Sequence, residues 1–188
     1  MKHRLVIFII LLAIVGSSKG NTNSKMTERE FAMLDEINFA RTKPAEYAAF
    51  IDEYLSTSMA GASEKNVAKE LHKILITMKP LNPLEFSPFL YKYAVLHGQW
   101  MSDNNEFEHS DFNFDYGENL ISGVENVRHA VIDLLIDDGI PSRGHRINIL
   151  HPQYKHFAVH EVPKTIDMAD YTFIQMFSLN KIPSKENP

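Results

Sequence analysis

The stretch Tyr171–Leu179 constrains this chain more than any other, because it alternates as a strand yet is apolar on both faces. Phe173 and Phe177 fall on one side, Ile174 and Met176 on the other. A strand with two apolar faces must be covered on both. Phe157–Val162 reads as a second strand just before it. The amphipathic stretches earlier in the chain have helical spacing, and several helices before a small late sheet give an α+β domain.

The helices announce themselves by caps and stripes. Thr27 and Glu30 form a capping-box pattern ahead of Phe31, Leu34 and Ile37, which predicts a helix from about residue 28 to between Ala40 and Lys43. Pro44 suits the first turn of a second, carrying Tyr47, Ala48, Ile51, Tyr54 and Leu55. Ser56–Asn66 reads as a surface loop, and Val67, Leu71, Ile74, Leu75 and Met78 as a third amphipathic stripe. Ser87-Pro88 caps a fourth helix, with Leu90, Ala94, His97 and Met101 on one face and Phe89, Tyr93, Leu96 and Trp100 on the next. So wide an apolar arc predicts a central helix with Trp100 buried. Ser102–Gly123 reads as loop, Glu125–Asp138 as a fifth helix ended by Gly139 and Pro141, and Arg146–Leu150 as a short turn.

At the front, Lys2 and Arg4 precede an unbroken apolar run, Leu5–Val15, followed by Gly16, Ser17 and Ser18. That run is short for a transmembrane helix and has the flanks of a cleaved secretory leader. The division expected is therefore leader 1–20, linker 21–27, domain 28–181 and tail 182–188, with the mature chain exported and not membrane-spanning. Loss of Lys2, Arg4 and Lys19, with no acid among residues 1–20, takes the formal charge from −5 to −8. An acidic chain excludes a nucleic-acid partner. The chain has no cysteine, so an exported domain must here be stabilised by packing alone, and thiol chemistry is excluded.

Chemistry concentrates between His109 and Arg146, in HSDFNFDYGENL and LLIDDGIPSRGHR. Imidazole and carboxylate either move protons near neutral pH or hold a divalent cation. Asp137 and Asp138 are placed in the last turn of the fifth helix, where the helix dipole disfavours an anion by roughly 0.3–1 kcal/mol. Either solvent screens both, or one faces a cation or a protonated histidine; spacing does not decide which. Gly117 before Glu118 implies a tight backbone that aims the carboxylate. Ser110, Asn119 and Arg143 are candidate hydrogen-bonding supports for that region. His97 on its apolar stripe reads as a core histidine, and His129, His151, His156 and His160 have no comparable context.

Three local patterns carry no function. Gly16–Gly20 has the spacing of a nucleophile elbow but lies in the leader. Asp111–Asp115 begins like a calcium loop, yet Tyr116 replaces its glycine and Ser122 its final Glu. His160-Glu161 opens a zincin pattern that no second histidine completes.

Taken in order, LNPLEFSPFLYKYAVLHGQWM (Leu81–Met101), EHS around His109, GENL (Gly117–Leu120), AVIDLLID (Ala130–Asp137), RGHRINILHPQY (Arg143–Tyr154) and YTFIQMFS resemble the CAP superfamily, the cysteine-rich secretory, antigen-five and pathogenesis-related proteins, in a cysteine-free bacterial form. The resemblance implies an α-β-α sandwich, helices flanking a small, mainly antiparallel sheet, with a cavity of two histidines and two acids. These fall on His109, Glu118, Asp137 and His145. Leu134 stands where the family has Trp, Asp137 where it has Glu, and Phe157-Ala158 where a Gly is common. The tetrad implies a divalent cation, zinc or magnesium, with Glu118 as general base if the domain is a metal-assisted hydrolase. The remaining alternative is a module that binds a lipid or other hydrophobic ligand. Partners in keeping with export are a small molecule, a lipid or an extracellular protein.

Overall fold

A computed structural model describes residues 25–162 and 170–179. The leader, the tail expected at 182–188 and the start of the linker lie outside them. Helices α1 (Glu28–Thr42), α2 (Pro44–Thr57) and α3 (Ala62–Thr77) come first. Then follow β1 (Glu85–Phe86), α4 (Pro88–Asn104), β2 (Gly117–Ile121), α5 (Val127–Ile136), α6 (Gly144–Ile149), β3 (His156–Val162) and β4 (Thr172–Ser178). The four strands form one sheet in the order β1-β3-β4-β2. Its pairs β3·β4 and β2·β4 are antiparallel, and the two-residue β1 lies parallel to β3.

Both faces of that sheet are covered, as the double apolar pattern of β4 requires: every residue of β4 is buried. Helix α4 packs on one face, against β3 and β4. On the other lie α1, which contacts β3, and α5 and α6, which contact β2; α2 and α3 pack behind them. This is the expected α-β-α sandwich.

The caps work as read. Thr27 and Glu30 make the full capping box, with Thr27 N donating to Glu30 Oε2 at 2.7 Å and Glu30 N to Thr27 Oγ1 at 3.2 Å. Ser87 caps α4 through the amide of Leu90. Arg41, fully buried at the end of α1, replaces what a covalent tie would do elsewhere. Its guanidinium donates to the carbonyls of Asn82 (3.1 Å), Ile149 (2.7 Å), His151 (3.0 Å) and Tyr154 (3.3 Å), so two loops distant in sequence close on one cation.

Several expectations are corrected. Trp100 is 42% exposed rather than buried. Among the described residues helix α4 is the sole helix layer on its face of the sheet, so its back, including Leu96 and Trp100, is exposed however apolar it is. Helix α3 starts five residues before the first apolar position, because Ala62–Asn66 are its solvated first turn. The loop-rich stretch before Gly123 contains β2, an edge strand too short to show a pattern. Arg146–Leu150 is mostly the end of helix α6 rather than a turn.

Candidate functional site

Strand β2 sets the first half of the site. Alternate residues of a strand point to opposite faces, so Glu118 faces α4 and its neighbour Asn119 faces α6. The Glu118 side chain is only 4% exposed. Its Oε1 accepts from His109 Nδ1 at 2.8 Å and from Ser110 N at 3.0 Å; its Oε2 accepts from Ser110 Oγ at 2.6 Å. His97 Nδ1 lies 3.0 Å from Oε2 as well. Burial alone raises the Glu118 pKa, but the His109 and His97 imidazoles and the two Ser110 donors overcome it and hold the group at about 2. In return, the hydrogen bond to Glu118 raises the pKa of His109, against a smaller opposing effect of burial. The loop that brings His109 and Ser110 to this carboxylate is pinned by Tyr116, whose hydroxyl donates to Ser110 O at 2.7 Å and accepts from Phe112 N at 3.2 Å.

The second half is built where α5 stops. Asp137 is not in the last helical turn but just beyond it, at φ 56, a left-handed cap that swings its carboxylate toward the start of α6. There Oδ2 accepts from His145 N at 3.0 Å and Arg146 N at 3.4 Å, and Oδ1 from His145 Nδ1 at 2.7 Å. The acid therefore meets the amide-rich start of a helix, the favourable end, and the dipole argument made for it in the sequence does not apply. Asp137 is 3% exposed, whereas Asp138 points outward and accepts from Ser63 Oγ. Arg146 completes the corner: Nε and Nη2 donate to the carbonyls of Leu135 (2.7 Å) and Ile136 (2.9 Å), which end α5, and Nη1 pairs with Glu70 at 2.7 Å.

Two asparagines tie the halves together. Asn119 Nδ2 reaches the carbonyl of His145 at 3.3 Å and Gln175 Oε1 at 3.1 Å; Asn148 Nδ2 donates to Glu118 O at 3.2 Å and Asn119 Oδ1 at 2.9 Å. Gly117 is required by close approach rather than by its backbone angle. A Cβ there would come within 2.7 Å of both Asn148 Oδ1 and the Tyr154 hydroxyl. The Gly-Glu-Asn triplet thus supplies clearance, the carboxylate and the tie, one residue each.

Each tetrad member is thus paired: His109 with Glu118, and Asp137 with His145. In both pairs Nδ1 turns to a buried acid, and Nε2 makes no hydrogen bond among the described residues. Among those residues, no three His, Cys, Asp or Glu side chains form a group able to hold a metal ion. His97 was missed as a partner of Glu118. The available signal was its own helix face: a histidine between Leu90, Ala94 and Met101 must face the sheet, and a buried imidazole needs a polar partner there.

His160 also has an acid. Its Nδ1 donates at 3.0 Å to Glu30 Oε1, and the fully buried Glu30 carboxylate accepts as well from Glu161 N at 2.9 Å and the Tyr91 hydroxyl at 3.0 Å. Burial pushes Glu30 up, but the His160 imidazole and the amides of Thr27 and Glu161 outweigh it and lower its pKa. Because β1 spans only two residues, the outer edge of β3 is bare at Glu161, and Glu30 takes the place of the absent strand.

Beside His97 and His109 a cleft of about 490 Å³ opens between α4 and the loop that follows it. Leu96, Trp100 and Phe112 form its walls, and Glu108 and Asp111 its rim. The family model described as CAP, cysteine-rich secretory protein family, matches residues 34–177. No curated protein and no solved structure matches the chain.

Proposed function

The chain belongs to the CAP family of cysteine-rich secretory proteins, and on that premise we propose that it is exported and acts by binding, with His109 and His145 holding a divalent cation. The observation that carries the reading is that each imidazole turns its Nδ1 to a buried carboxylate. Histidines that ligate a metal commonly donate their second ring N–H to a carboxylate, which fixes the tautomer and makes the free nitrogen more basic. His109 and His145 both have that arrangement, with Glu118 and Asp137 as the orienting acids. Two imidazole nitrogens suit zinc better than magnesium, which prefers oxygen. Since no ready-made cage of three such side chains exists among the described residues, water would complete the coordination. A bound cation would supply positive charge and polarise a ligand oxygen. The family and the leader-like pattern of Lys2, Arg4 and the apolar run Leu5–Val15 support export.

Zinc and magnesium titrations of the mature protein, followed by calorimetry and thermal melts, test the reading. Zinc at a hundred times its dissociation constant should stabilise the fold by about 2.7 kcal/mol. His109→Ala and His145→Ala should each remove that increment, and it should weaken as pH falls, beginning above the ordinary imidazole value of about 6.5 because Glu118 raises His109. His72→Ala, at a half-buried histidine of α3 paired with Asp52, should leave it intact. An unchanged melting temperature with every metal refutes the cation.

The hydrolase reading draws less support. A general base works best with a pKa near the operating pH, and Glu118 is held at about 2 with both oxygens already accepting. The apolar cleft, by contrast, favours a second binding reading, a hydrophobic ligand seated between Leu96, Trp100 and Phe112.

A further inference from the structure

We propose that the cleft over His97 receives an organic cation, an ammonium group carried on an apolar chain. The inference rests on reading that cleft as a ligand site and adds the charge of its occupant.

The walls come first. Leu96 is 49% and Trp100 42% exposed on the outer face of α4, with Phe112 opposite. Neighbouring exposed apolar side chains around a concavity mark a binding surface rather than a solvated one, and the cleft volume lies in the range of small-molecule sites. The rim is acidic: Glu108 and Asp111 line it, none of the lining residues is Lys or Arg, and the charge of His109, which also lines it, is balanced by Glu118 at 2.8 Å. Neither acid makes an ion pair or hydrogen bond among the described residues. An anionic lipid would be repelled by this rim, and an uncharged one would leave both acids without a role. Trp100 adds to the preference, since indole is the aromatic face that attracts cations most strongly.

The floor gives the independent sign of a missing partner. His97 is 3% exposed and lines the cleft, yet among the described residues neither ring nitrogen makes a hydrogen bond: the 3.0 Å approach of Nδ1 to Glu118 is not aligned as one. A buried polar atom without a partner carries a desolvation penalty that a ligand can relieve. With Nδ1 directed toward a carboxylate, the nitrogen left over is Nε2, whose lone pair calls for a donor, and an ammonium or alkylammonium N–H is one. Trp100 lies alongside this imidazole, ring centroids 6.1 Å apart, so movement of the indole would open the way to it. Aromatic face, acidic rim and unfilled acceptor all select the same charge.

The test is direct because Trp100 is the single tryptophan of the chain. Its emission should be followed while octylammonium, 1-octanol or octyl sulfate is added below micelle-forming concentration, with EDTA present throughout. EDTA removes divalent cations, so the outcome does not depend on the metal reading. Octylammonium should give a saturable change in emission and bind about tenfold or more tightly than 1-octanol, with octyl sulfate weaker still. The double variant Glu108→Gln, Asp111→Asn should lose most of that preference without altering the thermal melt, since both positions are exposed. Leu96→Arg should abolish ammonium binding by filling the wall and repelling charge. Equal binding of octanol and octylammonium would overturn the charge assignment while leaving a hydrophobic-ligand site. No saturable change with any probe would overturn both.

Discussion

Replacing Glu118 by Gln keeps the shape of the side chain and removes its charge, so it isolates what the ionised carboxylate contributes. The folded group titrates at about 2, against an ordinary value of 4.5. Each unit of difference is worth 1.36 kcal/mol between protonation states, so the contribution to folding is roughly 3 kcal/mol. The group is nearly fully buried, so solvent screening does little to reduce that figure. A depressed folded pKa means stability that is fully present above the unfolded value and lost as pH falls from about 4.5 toward 2. His109 acts in the opposite sense. Its pKa is raised, so its share is complete below its ordinary value of 6.5 and is lost as pH climbs through the folded value. The difference between the native protein and Glu118→Gln should therefore be greatest between those limits. Urea unfolding of both proteins at intervals from pH 2.5 to 8 measures it. A deficit of constant size across the acid range would refute the reasoning, because an uncharged Glu118 would have no pH dependence to lose.

Three further outcomes follow from packing. Phe177→Ala removes a side chain with no exposed surface, packed against Phe157 and Tyr154, and should cost about 3–5 kcal/mol in denaturant melts. Arg41→Met keeps the stem but strips four carbonyls of their donor, and should cost on the order of 3 kcal/mol or more, measured the same way; Lys at this position, a point charge without the planar fork, should not restore it. Gly98→Ala sets a Cβ 2.8 Å from His160 Cδ2 and should cost about 1–3 kcal/mol, and the loss should shrink when His160→Ala is present, which a double-mutant cycle reads directly.

How much of this was legible in the chain depended on whether the deciding contact was local. The capping box of α1, the Pro44 start of α2 and the Ser87 cap are settled within four residues, and the sequence carries them without help. The double apolar face of β4 is also local, and it implied the layers. Strand β2 was hidden because Gly117–Ile121 is held by one neighbour, β4, and its Glu118 and Asn119 look like loop residues until the partner strand is in place. Asp137 was read on a helix because nothing in Ile-Asp-Asp-Gly tells which Asp takes the left-handed cap. That depends on the amides of His145 and Arg146, eight and nine residues on. The tetrad itself came from resemblance to the family. For His97 the helix face signalled only burial against the sheet; which acid it meets was hidden, because Glu118 lies on a strand distant in sequence.

The absence of cysteine gains a structural meaning from the two buried arginines. Export favours disulfides because they restrict the unfolded chain, and a chain without them must find its stability in the folded state. Arg41 gathers the carbonyls of Asn82, Ile149, His151 and Tyr154, joining the end of α1 to the segment before β1 and to the turn between α6 and β3. Arg146 holds the carbonyl end of α5 against α6 and reaches α3 through Glu70. A guanidinium suits this work because its five N–H groups lie in one plane and bear a charge that persists: burial lowers Arg41 only to about 10, so it remains protonated at neutral pH. The cost is that a buried cation stabilises only while its acceptors stay in place, whereas a disulfide survives local opening. The segments that Arg41 and Arg146 hold flank α6, the helix that carries His145 and places Asn148 against Glu118. The geometry of the site therefore depends on two cations outside it, and a change at either arginine should loosen the histidine pairs before it unfolds the sheet.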